Sequence, residues 1–222
     1  MPQPGASTSR HLAHRWAQLV LGLAGWGLAV TLMVRAALGV GPWDALHVGI
    51  SEHTGIGVGT ASITAGLAIL AASLFVGVRP GVGTVANMVL IGLTIDLLLP
   101  IVPEARGWIW GLAYLLGGIG LAGWFTGMYV AAGLGKGPRD GLVLALSEQR
   151  GWSVRSVRTW MELSVLVVGW ALGGPLGVGT LIYAVTMGPS MQWGLRRWGL
   201  VAPSGAAEPE ASPRRTFRRR AA

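Results

Sequence analysis

Residues 107–135 contain no charged side chain, and neither do residues 16–34 or 54–78. A helix needs about 20 apolar residues to cross the hydrocarbon of a bilayer, so these runs restrict the chain to a membrane fold before any motif is considered. Two more runs carry a single acid each. Residues 80–103 hold Asp96, and residues 159–195 hold Glu162. The second of these is too long for one helix and contains the breaker Gly173-Gly174-Pro175-Leu176-Gly177, which divides it in two. Six spans are therefore predicted. Composition agrees: 52% of residues are hydrophobic and 12% charged, with a mean hydropathy of +0.56.

The spans are not independent of one another. "LGVGPWDALHVGISEHTG" at 38–55 returns as "LGKGPRDGLVLALSEQRG" at 134–151, an offset of 96 residues without a gap. Gly81-Val82-Gly83-Thr84 returns as Gly177-Val178-Gly179-Thr180, and from Ala36 to Thr84 the two copies share 18 identities in 49 positions. The chain reads as a duplication. Each copy holds three spans, an odd number, so the second copy must enter the bilayer from the opposite side. Charge points the same way, because Val40, Trp43, Thr54, Gly59 and Ser62 are replaced at the offset by Lys136, Arg139, Arg150, Arg155 and Arg158. Lys and Arg collect on the cytoplasmic face. This puts the second copy of the loop inside and the first outside, with both basic termini in the cytoplasm.

The fold class expected is thus an all-α polytopic membrane protein. Six transmembrane helices form two inverted three-helix repeats, each with a short re-entrant or interfacial helix. Residues 1–13 are read as an N-terminal tail and 14–202 as one membrane domain, with repeats at about 14–105 and 110–201. Residues 203–222 are read as a disordered basic tail, too small and polar to join a core. The net charge of +8 is assigned to orientation and to anionic lipid, not to nucleic acid. There is no cysteine, which excludes disulfides and thiol catalysis.

In the repeated motif, proline suits the first helical turn, an acid there complements the positive helix end, and Gly55 suits the exit. The resulting helix, about 12 residues and ~18 Å long, is too short to cross ~30 Å of hydrocarbon. Two readings remain open. Asp44 and Asp140 serve only as helix-start residues, with Gly39, Gly41, Gly135 and Gly137 permitting tight turns. Alternatively, the two starts, including Pro42 and Pro138, approach a pseudo-twofold axis and offer backbone amides to a small molecule or ion. Among charges inside spans, Glu162, four residues after Arg158, is the first candidate for proton or ion coupling, and Asp96 the second. The repeat-mate of Glu162 is Gly66, so any such role breaks the symmetry.

Enzyme signals fail on inspection. "GLGKGPRDG" has valine at 130 and glycine at 137 where a phosphate loop needs glycine and Ser or Thr. His47 and His53 are replaced by Val143 and Gln149 at the offset, which weakens a metal reading. No catalytic residue, metal or cofactor is expected. Trp16, Trp108, Trp110, Trp152, Trp193 and Trp198 read as interfacial anchors.

The two motif copies, together with "RPGVGTVANMVLIGLTIDLLLP" and the continuation "WSVRSVRTWMEL", resemble the YczE/YyaS/YitT family of bacterial integral membrane proteins over roughly residues 14–200. The resemblance implies a small multi-span protein of the bacterial cytoplasmic membrane and carries over no catalytic residue. The expected function is small-solute transport, and the alternative is a non-transporting membrane component that supports a biosynthetic or secretion process. Expected partners are the bilayer, a solute or ion and a second copy of the chain.

Overall fold

The computed structural model describes residues 5–77, 81–135 and 137–201, with the side chains of 5–11, 138, 140 and 141 outside the description. Lys136 and the tail expected from 203 onward therefore lie outside the described residues. The described residues form helices without strands: α1 (Gly5–Arg35), α2 (Pro42–Thr54), α3 (Val58–Phe75), α4 (Val82–Leu98), α5 (Gly107–Ala131), α6 (Pro138–Arg150), α7 (Val154–Ala171) and α8 (Val178–Arg197). Helix α1 begins inside the segment read as a tail, since no proline or glycine after Gly5 interrupts it before the apolar run.

The boundaries repeat with the sequence. Shifting α2 and α3 by 96 gives the bounds of α6 and α7, and the starts of α4 and α8 differ by the same number. Both short helices have proline in the first turn and end at a left-handed glycine, Gly55 at φ 72° and Gly151 at φ 66°. Even the turn bond recurs: Ser51 Oγ donates to Ile56 O at 2.6 Å, and Ser147 Oγ to Trp152 O at 2.7 Å.

Three helices, Leu12–Arg35, Val58–Phe75 and Gly107–Ala131, are long and apolar enough to cross a membrane, and α4 is apolar but only 17 residues long. Helix α7 falls short on hydropathy because it carries Arg155, Arg158 and Glu162, and α8 because Tyr183, Pro189, Ser190 and Gln192 dilute its apolar residues.

At the centre, repeat-mates α1 and α5 run antiparallel. Gly22 abuts Tyr129 near one end, while Gly118 abuts Met33 and Gly111 abuts Ala36 toward the other. Helix α4 packs on α1 and α8 on α5, α3 lies outside α4, and α2 and α6 each bridge α3 and α7. The core is apolar, with Leu19, Leu23, Met33, Ile95 and Leu115 fully enclosed. Burying such a side chain contributes about 1.5–3 kcal/mol relative to leaving it in water. Inside a bilayer close packing takes over that role. Accordingly, Gly123 meets Ser190 and Gly127 meets Gly194 with no room for a Cβ.

The expected tryptophan anchors divide. Trp16, Trp108, Trp110, Trp152 and Trp193 are exposed. Trp198 instead turns inward, with its ring centroid 5.7 Å from that of Trp124 and its Nε1 buried.

Candidate functional site: where the two short helices begin

Each Gly-x-Gly-Pro loop reaches across to the other repeat. Gly179 N–H donates to Leu38 O at 2.7 Å, and Gly83 N–H donates to Leu134 O at 3.1 Å. The loops thereby lock onto the starts of α8 and α4. This close approach requires glycine at 39 and 135, whose φ angles are 98° and 146°, because a Cβ at either would meet the neighbouring backbone.

The starts of the two short helices come within side-chain reach of each other. The Arg139 guanidinium lies 4.0 Å from the centroid of the Trp43 ring. These two residues are the variable positions of the two Gly-Pro-x-Asp motifs and are repeat-mates at the offset of 96. Were the two copies related by a twofold axis, a residue that touches its own repeat-mate would stand on it. From there the helices diverge, α2 ending beside the start of α3 and α6 ending where Gln149 Nε2 donates to Val76 O at 2.7 Å beyond the end of α3. Neither start has a side-chain cap. Their first-turn amides point where an anionic group would be favoured.

Polar side chains gather at this junction. Asp44, in the first turn of α2, is 5% exposed, and His47 one turn later is 2% exposed. Their nearest approach, His47 Nδ1 to Asp44 Oδ1, is 3.9 Å, outside hydrogen-bond distance. Both ring nitrogens of His47 and the Trp43 Nε1 are buried without a hydrogen-bond partner among the described residues. Such groups cost free energy unless something supplies the missing bonds. The charges that reach Asp44 are those of Arg139 and Glu162. Tyr183 of α8, with its ring against Gly41, also lies within reach of Asp44, Glu162, Arg139 and Arg158.

The structure thus packs Gly39 and Gly41 against α8, at Gly177 and Tyr183, and brings the start of α2 to that of α6 through Trp43 and Arg139. The side chains of Pro138 and Asp140 lie outside the described residues. Arg158 Nε and Glu162 Oε1 are 3.9 Å apart, with side chains 54% and 32% exposed.

Asp96 is elsewhere and differently employed. It accepts from Gly59 N–H at 2.7 Å, Thr60 N–H at 2.7 Å and Thr60 Oγ1 at 2.6 Å, capping α3 from the end of α4. In the second repeat, Ser153 caps α7 locally by accepting from Ser156 N–H at 3.0 Å. Asp96→Ala is expected to cost about 2 kcal/mol through the lost cap and lost dipole complement. Asp96→Asn should cost less. Thermal unfolding of the detergent-purified variants checks the order.

The sequence reading set His47 aside and did not consider Tyr183. A signal for Tyr183 was present, since its repeat-mate is Asn87, so both copies place a polar side chain at that point of an apolar helix. A surface depression of about 570 Å³, lined by Val48, Glu52, His53, Leu172, Gly173 and Pro175, lies toward the other end of α2.

Known proteins align with nearly the whole arrangement. The family described as a family of unknown function (DUF6198) matches residues 13–196. An uncharacterized membrane protein of Bacillus subtilis, YczE, is 39% identical over 188 residues, covering 84% of this chain and 87% of the relative. An uncharacterized protein of Haemophilus influenzae is 32% identical over 175 residues, covering 79% and 80%. YyaS of Bacillus subtilis, also uncharacterized, is 28% identical over 171 residues, covering 73% and 83%. No solved structure matches.

Proposed function

From the premise that the chain belongs to the DUF6198 family, and is a membrane protein like YczE, we propose that it carries a small solute across the bacterial cytoplasmic membrane. The observation that carries this reading is the meeting of the α2 and α6 starts at Trp43 and Arg139. Short helices that begin at a shared axis and end toward opposite sides leave irregular backbone at membrane depth. Such backbone is tolerated only where it is buried in protein or lines a cavity, and in transporters half-helix starts hold the solute. The site proposed comprises Gly39, Gly41, Pro42 and Asp44 with Gly135, Gly137, Pro138 and Asp140, and Glu162 and Arg158 beside it for coupling.

In this reading α1, α3, α4, α5, α7 and α8 are the six spans, the two repeats are inverted, and both termini are cytoplasmic. The antiparallel α1–α5 pair supports the inversion. The side is supported by Arg15, whose Nε donates to Ala132 O at 2.7 Å, gathering the N-terminal helix and the 132–155 segment at one basic end. The chain has no cysteine to remove. Thr54→Cys is expected to react with an impermeant thiol reagent in intact cells and Arg150→Cys only after lysis. Equal behaviour at the two positions would contradict inversion.

Transport itself is tested by uptake into proteoliposomes across a panel of labelled metabolites and ions. Flux of none of them, together with no thermal stabilisation by any, would favour the second reading, a membrane component that supports another process. That reading draws on one observation: large side chains stand at the helix starts, Arg139 over the Trp43 ring and Tyr183 against Gly41.

A further inference from the structure

The repeats differ at one seam. In the first, α3 and α4 are zipped together: Gly59 and Gly92 face each other backbone to backbone, Ile63 packs on Gly92, and Gly66 receives Met88. The equivalents in the second repeat are Arg155, Gly188, Thr159 and Glu162. There α7 and α8 do not pack against each other as α3 and α4 do. A Cβ at Gly188 would meet nothing within 4 Å, whereas at Gly92 it would stand 2.6 Å from Gly59 O. One seam is closed and its mate is open.

The two walls of the open seam differ in chemistry. On α7 they carry Arg158 and Glu162, both partly exposed. On α8 the exposed residues Val185, Gly188, Pro189 and Gln192 are uncharged, and Pro189 interrupts the helical hydrogen bonding. Lacking an N–H, Pro189 leaves the Val185 carbonyl without its usual helical donor. Charges and a freed carbonyl facing hydrocarbon would be costly. Tyr183 of α8 stands against Gly41 at the start of α2, and within α2 Asp44 is buried, as are both ring nitrogens of His47, which have no hydrogen-bond partner among the described residues.

We infer that the α7–α8 seam is a water-filled entrance to the junction of the short helices and that its ligand is a small zwitterion, a molecule bearing both an ammonium and a carboxylate group. The inference rests on the transport reading and names its entrance and substrate class. The charge inventory sets the class. The acids of the proposed site and its α7 flank, Asp44, Asp140 and Glu162, are matched in number by the bases Lys136, Arg139 and Arg158. A ligand of net charge would add an uncompensated charge to a low-dielectric site. A zwitterion adds none, and it can pair its carboxylate with an arginine or the helix-start amides and its ammonium with an acid.

The test uses full-length protein in open membrane fragments, so that both faces are reached. Thr159→Cys and Gly188→Cys line the open seam, and Ile63→Cys is the repeat-mate of the former in the closed one. The two open-seam thiols are expected to react with a water-soluble methanethiosulfonate about tenfold or more faster than Ile63→Cys, since a buried thiol is inert. Reaction only with a membrane-partitioning maleimide, meaning lipid fills the seam, would overturn the inference. Oxidative cross-linking of Gly188→Cys into a dimer, meaning a second copy fills it, would do so too. For the ligand class, wild-type Tm is read with a mixture of neutral amino acids, with inorganic phosphate and with choline. The amino acids should raise it by about 2–4 °C and the two ions should not. Stabilisation by either ion alone, or by none of the three, would overturn the class. Neither readout requires flux, so a wet seam that binds zwitterions in a preparation showing no flux would count against transport and leave the site standing.

Discussion

Gly92→Leu is expected to lower stability by on the order of 3 kcal/mol, at the upper end of the penalty for overpacking. Its repeat-mate variant Gly188→Leu should stay within about 0.5 kcal/mol of wild type. At position 92 the added side chain would run into the backbone of Gly59 and into Ile63, and a carbonyl cannot rotate away as a long side chain can. At position 188 it would enter open space. For a chain of this length the difference corresponds to roughly 6–12 °C in Tm, well within the reach of thermal unfolding in detergent. Equal losses at the two positions would mean that α7 and α8 close against each other as α3 and α4 do.

Asp44→Asn should reduce solute uptake into proteoliposomes by roughly a hundredfold while the protein stays folded and monodisperse. The estimate follows from removing one member of a buried charge set, about 3 kcal/mol or more, converted at 1.4 kcal/mol per factor of ten. The simpler role for Asp44 gives a different result. If the carboxylate only complements the positive end of α2, the change costs about 0.3–1 kcal/mol of stability and uptake is untouched. Glu162→Gln separates coupling from binding, because it should abolish dependence of uptake on a proton gradient and leave ligand stabilisation of the protein in place. Wild-type uptake in both variants would remove the junction from consideration as the solute site.

Much of the helix arrangement was legible because its signals are local or periodic. The uncharged runs mark helices, Gly173-Gly174-Pro175 marks the break between α7 and α8, and Gly-Pro-x-Asp marks the two short helices with their left-handed glycine exits. The site was legible only along one chain direction. Asp44 announces itself as an acid in a first turn, but nothing near position 44 reveals that Tyr183 lies over Gly41 or that His47 keeps two unpartnered nitrogens. Asp96 shows the limit from the other side. As an acid in an apolar run it read as a functional charge, and its occupation by the start of α3 depends on a contact 36 residues away. Comparing repeat-mates would have gone further than reading either copy alone. Tryptophan opposite arginine at 43 and 139, and glycine opposite glutamate at 66 and 162, mark where the copies meet and where they part.

The Trp43–Arg139 contact also bears on why both copies reside in one polypeptide. In a dimer of two identical half-length chains, a position on the symmetry axis faces itself, so the only pairings available are Trp with Trp or Arg with Arg. The second opposes like charges, and the first gives up the attraction of a cation for a ring face, worth about 0.5–2 kcal/mol. Two copies that have diverged in sequence, as these have, can place unlike residues there. Splitting the gene between the repeats and expressing either half alone would therefore forfeit a contact at the centre of the molecule that co-expression of both halves restores.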